Sequence, residues 1–312
     1  MSFERGLVKI IFFGTPYFAK EILDFLFAKK VQILAVVTQP DRPKGRSLQC
    51  SPSPVKELVL EKRPELEVLQ PLKVSEEWFL ERLKKLGADL YVVVAFGQIL
   101  PQKLLDIPPL GCINVHASLL PKYRGAAPMQ RCLMQGEKAT GVAIQKMVLK
   151  MDAGDVLAVS KTAVPIDMTF GELEKILIAL TKPLLLDIVR RYEEGIPEAT
   201  PQDHSLATYA PKIEPEQTLI QWDQSNLEVH NQIRALSPRP GAWCYCQVGE
   251  ERKRVKILSA ALSVEEIPLK QLKGRKIGCK HGSIELLEVQ PEGKKKMNAP
   301  DWLRGQKKIL FM

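Results

Sequence analysis

The stretch "VKIIFFGTPYFAKEILDFLFAKKVQILAVVT" (residues 8–38) sets the architecture. Its first seven residues are an apolar run ending in glycine, the pattern of a buried strand. Residues 17–30 then place Phe18, Ile22, Phe25 and Leu26 at helical spacing. Residues 31–38 form a second apolar run. Strand, helix and strand in so short a span make a βαβ unit, whose strands lie parallel.

Outward from that unit the alternation repeats. Ser53-Pro54 opens a helix, with Pro54 in its first turn. "VSEEWFLERLKKLG" (74–87) reads as a helix capped by Ser75 and closed by Gly87. "ADLYVVVAFG" (88–97) and "GCINVHA" (111–117) are further buried strands. The implied class is α/β, a Rossmann-like, mostly parallel sheet covered by helices. Ligands of such sheets bind outside the carboxyl ends of the strands, so the loops after Phe13, Ala95 and Val115 should share one rim.

"TFGELEKILIALTKPLLLDIVRRYEEG" (169–195) reads as a long helix, kinked or interrupted at Pro183. A polar, proline-rich stretch follows and is the candidate linker. "SNLEVHNQIRAL" (225–236) is a helix. The runs "AWCYCQV", "RVKILSAAL", "KIGCK" and "SIELLEVQ" are short and alternating, as in a small β-barrel or sandwich. The expected division is a first domain over 1–196, a linker over 197–213 and a smaller, OB-like β-barrel domain over 214–312.

At 312 residues, 45% apolar and 26% charged, the chain reads as an ordinary globular protein of two domains. No apolar run reaches the ~18 residues of a membrane span. The N-terminal apolar run passes straight into the first strand, so it reads as fold and not as a signal peptide. The six cysteines include no C-x-x-C pair, which favours free thiols in a reducing cytoplasm over a metal site. The net charge of +9 is denser in the C-terminal third, in "RKRVK" (252–256), "KQLKGRKIGCKH" (270–281) and "GKKK" (293–296). Such clusters fit either a solvated face or a polyanion-binding one.

Candidate chemistry lies at the end of "GCINVHASLLPKYRG" (111–125). Strand alternation puts Asn114 and His116 on one face with Cys112, and Ile113 and Val115 on the other. An Asn amide there can donate to a developing oxyanion, and a His can move a proton near neutral pH. Taken alone, the pair reads more simply as polar groups satisfied by backbone. The other three histidines, His204, His230 and His281, fall in the linker, a helix and a basic region. "SLLPKYRG" (118–125) offers a rigid loop with an apolar wall. "MDAGDV" (151–156) places Asp152 where a carboxylate could orient His116, although acid-glycine loops are common turns.

Several stretches together are similar to one family. "FFGTPYFA" (12–19), "VTQPDRPKGR" (37–46), "SPSPVK" (51–56), "AFGQILP" (95–101), "GCINVHASLLPKYRGAAPMQ" (111–130), "MDAGDV" and "SPRPGAW" (237–243) resemble the folate-dependent formyltransferases, in particular their methionyl-tRNA branch. The motifs follow the family's order over nearly the full chain. The resemblance implies transfer of a formyl group from 10-formyltetrahydrofolate to the amino group of methionine on initiator tRNA, without a metal. It implies Asn114, His116 and Asp152 as catalytic groups, and Ser118, Leu119, Leu120 and Pro121 as the folate-contacting loop. Phe96, Gly97, Gln98, Ile99 and Leu100 would complete the pterin pocket. The basic insertion would bring Arg42, Lys44 and Arg46 to the tRNA acceptor end. After Arg46, where many members carry further basic residues, this chain has "SLQC" (47–50), so the C-terminal clusters are expected to carry more of the phosphate contact. The partners expected are tRNA and folate, not a membrane, with the chain a monomer.

Three other readings meet specific objections. A formyltransferase for glycinamide ribonucleotide or an amino sugar would share the Asn-His-Asp set, but needs neither the insertion nor the basic C-terminal domain. A dinucleotide-dependent oxidoreductase would need G-x-G-x-x-G where this chain has "GTPYFA". A non-catalytic RNA-binding protein leaves the Asn-His-Asp set without a purpose.

Overall fold

The computed structural model describes residues 7–44, 49–304 and 309–312. The first strands are β1 (Ile10–Gly14), β2 (Ile33–Val37), β3 (Arg42–Lys44), β4 (Gln49–Ser51), β5 (Glu67–Leu69), β6 (Leu90–Val94), β7 (Cys112–His116), β8 (Ala139–Lys146) and β9 (Val156–Ala163). Between and after them lie α1 (Tyr17–Ala28), α2 (Pro54–Lys62), α3 (Glu77–Leu86), α4 (Gln102–Leu105), α5 (Pro128–Met134) and α6 (Phe170–Glu194). The main sheet has the order β5-β2-β1-β6-β7-β8-β9. β1 pairs parallel with β2 and β6, and β6 pairs parallel with β7. β8 runs antiparallel to β7, setting Gln145 opposite Asn114. The sheet is therefore mostly parallel, with a reversed strand beside the polar end of β7.

Every residue of β1 and β6 is buried, as a parallel sheet covered on both faces requires. α1 buries Phe18, Ala19, Ile22, Leu23 and Leu26, the stripe expected from its spacing, while Phe25 is only half-buried. Phe13 packs on Tyr91 and on Phe96, with ring centroids 5.3 and 5.4 Å apart. Each such buried ring contributes roughly 1.5–3 kcal/mol. The register sets Gly14 opposite Val94 and Val94 opposite Val115, so the exits of β1, β6 and β7 lie level on one rim.

Local signals explain most boundaries. Ser53 caps α2, its hydroxyl accepting from the Lys56 N–H at 3.1 Å, with Pro54 in the first turn. Gly87 closes α3 in left-handed backbone. The start of α3 differs from the expectation: Glu76, not Ser75, is the N-cap. The Glu76 side chain caps no N–H of the helix; its carboxylate accepts instead from the Lys73 N–H at 2.7 Å and from the Trp78 indole at 2.5 Å. α6 runs through Pro183 without interruption. Its inner residues Leu185, Ile188, Val189 and Tyr192 are buried, and that packing outweighs the one backbone hydrogen bond proline removes.

The chain divides into two compact units. One comprises Met1–Ala126, Gly141–Thr162 and Ile176–Tyr209; the other comprises Ala127–Thr140, Ala163–Lys175 and Ala210–Met312. The second unit contains α7 (Asn226–Leu236), β10 (Ala242–Val248), β11 (Glu251–Ser263), β12 (Leu272–Lys273), β13 (Lys276–Gly278), β14 (Ser283–Pro291), β15 (Met297–Asn298), α8 (Ala299–Arg304) and β16 (Ile309–Phe311). Its strands run β12-β13-β14-β11-β10-β16, with β15 on β14. The pairs are antiparallel, and register shifts between Ile257 and Ala260 bend β11. The strand pattern predicts a small β-barrel or sandwich, and the resemblance an OB-like barrel; among the described residues the strands form an antiparallel sheet that does not close. Its edge strands β12 and β16 are two and three residues long and come near one another without forming a ladder. Val229, Ile233 and Leu236 of α7 join Ile257, Leu286 and Trp222 in its core. Among the described residues no helix is long and apolar enough to cross a membrane.

Candidate active site

Asn114 and His116 leave the same face of β7 and meet one carboxylate. Asn114 Nδ2 donates to Asp152 Oδ1 at 3.3 Å, and His116 Nδ1 stands 3.7 Å from Asp152 Oδ2. Asp152 lies between β8 and β9, close to the reversed strand. Its Oδ1 also accepts from Gln145 Nε2 at 2.9 Å, and its Oδ2 from the Gly125 N–H at 2.8 Å. Three donors converge on this group, which suits an ionised carboxylate and not a neutral acid.

His116 is nearly buried, at 5% exposure. Its Nε2 lies 2.8 Å from the carbonyl oxygen of Tyr123. A carbonyl can only accept, so Nε2 carries a hydrogen and Nδ1 faces the carboxylate. Cys112 shares this face, but burial pushes its thiol up to about 12. It is neutral near pH 7 and is no nucleophile.

Several contributors carry weak sequence signals or none. Gln145 is a polar residue inside an apolar strand, visible in "GVAIQKM" only once its pairing with Asn114 is known. Gln202, in the segment expected to be linker, donates from Nε2 to the carbonyls of Asp152 and Gly154 at 3.0 and 2.6 Å. Arg124, 1% exposed, donates to Gln202 Oε1 at 2.6 Å and meets His204 Nδ1 at 2.9 Å. Gly154 has no room for a side chain: a Cβ would stand 1.9 Å from the Lys146 carbonyl oxygen.

The loop after β7 begins beside His116. Ser118 is buried and donates to the Lys122 carbonyl at 2.6 Å, while Leu119 and Leu120 are half-buried and Pro121 follows a cis bond. The residues after β6 divide. Phe96 and Leu100 turn into the core, at 2% and 3% exposure, and so do not present their side chains to the rim. Gly97 and Ile99 are exposed. Gln98 is half-buried and accepts from the Val74 N–H at 3.1 Å. The Phe96 carbonyl accepts from Thr15 Oγ1 at 3.0 Å and Gln39 Nε2 at 3.3 Å, tying the exits of β1, β2 and β6 together.

The basic insertion forms a hairpin, β3 paired antiparallel with β4. Arg42 is exposed on it. Arg46 and the side chain of Lys44 lie outside the described residues. At the hairpin's base, Lys56 bonds Asp41 at 2.7 Å and holds that carboxyl below its usual range, with help from Gln70. Among the described residues no disulfide joins any of the cysteines.

Residues 8–189 match the family described as "Formyl transferase", and residues 212–307 match "Formyl transferase, C-terminal domain". A methionyl-tRNA formyltransferase of Protochlamydia amoebophila is 46% identical over 307 residues, with 96% of each chain covered. Two solved structures share the fold at lower identity. HypX from Aquifex aeolicus, in complex with tetrahydrofolic acid, is 17% identical with a TM-score of 0.65; the match covers 96% of this chain but only 47% of HypX. A methionyl-tRNA formyltransferase from Clostridium thermocellum is 18% identical with a TM-score of 0.56, covering 89% of this chain and all of that one. On the strength of both matched regions and the 46% identity over nearly its full length, the chain belongs to the methionyl-tRNA formyltransferase family.

Proposed function

We propose that this enzyme transfers the formyl group of 10-formyltetrahydrofolate to the free amino group of methionine on initiator tRNA, as a cytoplasmic monomer and without a metal. The observation that carries the reading is the convergence of Asn114 and His116 on Asp152 at the carboxyl rim, in a chain of this family. Residues 1–196 are assigned to catalysis, 197–213 to a connection whose Gln202 also bonds the turn that carries Asp152, and 214–312 to tRNA binding.

The residues present suit such a donor. Half-buried Leu119 and Leu120 and exposed Ile99 offer apolar surface to a flat heterocycle, and Ser118, Pro121 and the backbone of 96–100 frame it. When bound, the folate supplies an activated formyl carbon. Asn114 has two amide hydrogens; one goes to Asp152 and the other remains for the oxygen that gains charge as the amine attacks. His116 acts as the doubly protonated ring: Nδ1–H faces Asp152, and the Nε2–H, held here by the Tyr123 carbonyl, exchanges that bond for the departing nitrogen and delivers its proton there. Asp152 faces Nδ1 and fixes the ring. The amine gives up a proton as it becomes an amide, and the vacated Nε2 of His116 takes it up, so the ring returns to its starting state and the reaction is proton-neutral. No covalent enzyme intermediate is required.

Binding of tRNA is assigned to Arg42, Lys44 and Arg46 of the basic insertion and to the C-terminal sheet. On that sheet Arg252 lies 3.8 Å over the Tyr245 ring and Arg254 3.9 Å over Trp243. Cations held on aromatic faces are pre-positioned for phosphates and stacked bases.

The test is an acceptor assay with labelled formyl donor. Charged initiator tRNA should take up label while glycinamide ribonucleotide and an amino sugar nucleotide do not. Label in either small acceptor and none in tRNA would contradict the reading.

A further inference from the structure

Tyr123 at φ +60° and Asp152 at φ +50°, neither of them glycine, hold left-handed backbone beside His116. Each faces a different ring nitrogen of His116. Tyr123 presents its carbonyl to Nε2, and Asp152 presents its carboxylate to Nδ1. Left-handed backbone is disfavoured for residues with a Cβ and persists where the surroundings enforce it.

Both residues are braced by one short segment far along the chain. Thr208 Oγ1 accepts the Tyr123 N–H at 2.9 Å, and the Thr208 carbonyl accepts the Arg124 N–H at 2.9 Å. Gln202 Nε2 donates to the Asp152 carbonyl at 3.0 Å and to the Gly154 carbonyl at 2.6 Å, clamping the turn from both sides of Ala153. The buried Arg124 guanidinium occupies Gln202 Oε1 with two hydrogen bonds, at 2.6 and 3.2 Å. An arginine can only donate, so it fixes the amide with its NH2 toward the carbonyls. The segment is anchored at its start by two 2.8 Å backbone bonds between Thr200 and Val156, and at its end by a bridge between Tyr209 and Arg124.

We infer that residues 200–209 are a working part of the active site and that Gln202 and Thr208 are positioning residues. They hold the two left-handed residues that grip His116 from its two ring nitrogens. Neither has to touch a substrate. The inference deepens the proposed function and rests on His116 being the proton carrier there.

The test uses the full chain, with formyl donor and charged initiator tRNA as substrates. Thr208→Val keeps the side-chain shape but removes the acceptor for Tyr123; Thr208→Ser restores it. Gln202→Glu keeps an acceptor for Arg124 but, when ionised, offers no donor to the two carbonyls. Thr208→Val and Gln202→Glu should each lower kcat about 10- to 100-fold, the cost of a slightly misplaced catalytic group. KM for both substrates should stay within about twofold, and Thr208→Ser should recover kcat. Unchanged kcat in both variants, an effect on KM alone, or an equal loss in Thr208→Ser would overturn the inference. His116→Ala is the reference. If the wild type transfers no formyl group, or His116→Ala matches it, the functional reading fails. If His116→Ala is impaired while Thr208→Val and Gln202→Glu are not, only the positioning role fails.

Discussion

The two larger sheets of this molecule handle charge in opposite ways. Around β7 the polar groups turn inward and are satisfied by one another: Asp152 takes three hydrogen bonds and faces His116. On β10 and β11 they turn outward. Arg252 and Arg254 lie on aromatic rings, and the Lys256 ammonium bonds the Pro240 carbonyl at 2.7 Å. A buried polar network is stiff and holds a few atoms in fixed geometry, as chemistry needs. An exposed cationic surface is adaptable and long-ranged, as binding a polyanion needs. The first region should therefore govern turnover and the second affinity.

The largest effect should come from Asp152→Asn. It places an NH2 among donors that now meet a carboxylate, so kcat should fall about 10²–10⁴-fold, the range for loss of acid–base function. Steady-state kinetics at saturating tRNA would reveal it, and a pure KM effect would erase the distinction between the regions. A smaller effect is expected from Arg252→Ala with Arg254→Ala. KM for tRNA should rise several-fold with kcat kept, and the slope of log affinity against log salt should shrink by about 1 for each phosphate no longer neutralised. A salt titration of tRNA binding checks this.

Two still smaller effects concern stability, one in each region. Ser53→Ala removes the α2 cap and should cost about 1 kcal/mol in chemical denaturation. The hydroxyl also shares a 2.7 Å bond with Thr38, so the loss should be at the upper end for a cap. In the second unit, burial lowers His230 below its usual 6.5, against the opposing pull of Asp167 and with a contribution from Arg234. The unfolded chain then binds the proton more readily than the fold. The fold should keep full stability above about pH 6.5 and lose it as pH falls below. Thermal midpoints from pH 7.5 to 5 should decline in the wild type and decline less in His230→Gln.

How much of this is legible in the sequence depends on the range of the interaction. Alternation along residues 112–116 places Asn114 and His116 together because strand period is local. The Ser53 cap and the Gly87 stop are legible for the same reason. The start of α3 at Glu76 is not, since a serine stands one position earlier and the Glu76 side chain makes no capping bond that would mark it. The open edge of the C-terminal sheet is hidden because alternation does not report whether the last strand meets the first. Phe96 and Leu100 are expected at a pocket; the packing of the Phe96 ring on Phe13 is a long-range contact that the sequence does not report. Gln202 is illegible: its role is set by carbonyls fifty residues away in the chain, and nothing in its own polar segment singles it out.

The role of Asn114 is open to the most direct test. In a single turnover with both substrates saturating, Asn114→Ala should transfer the formyl group about 10²–10³-fold more slowly than the wild type, with tRNA binding unchanged. A wild-type rate in that variant would contradict the claim that this inward-facing amide stabilises the reacting oxygen.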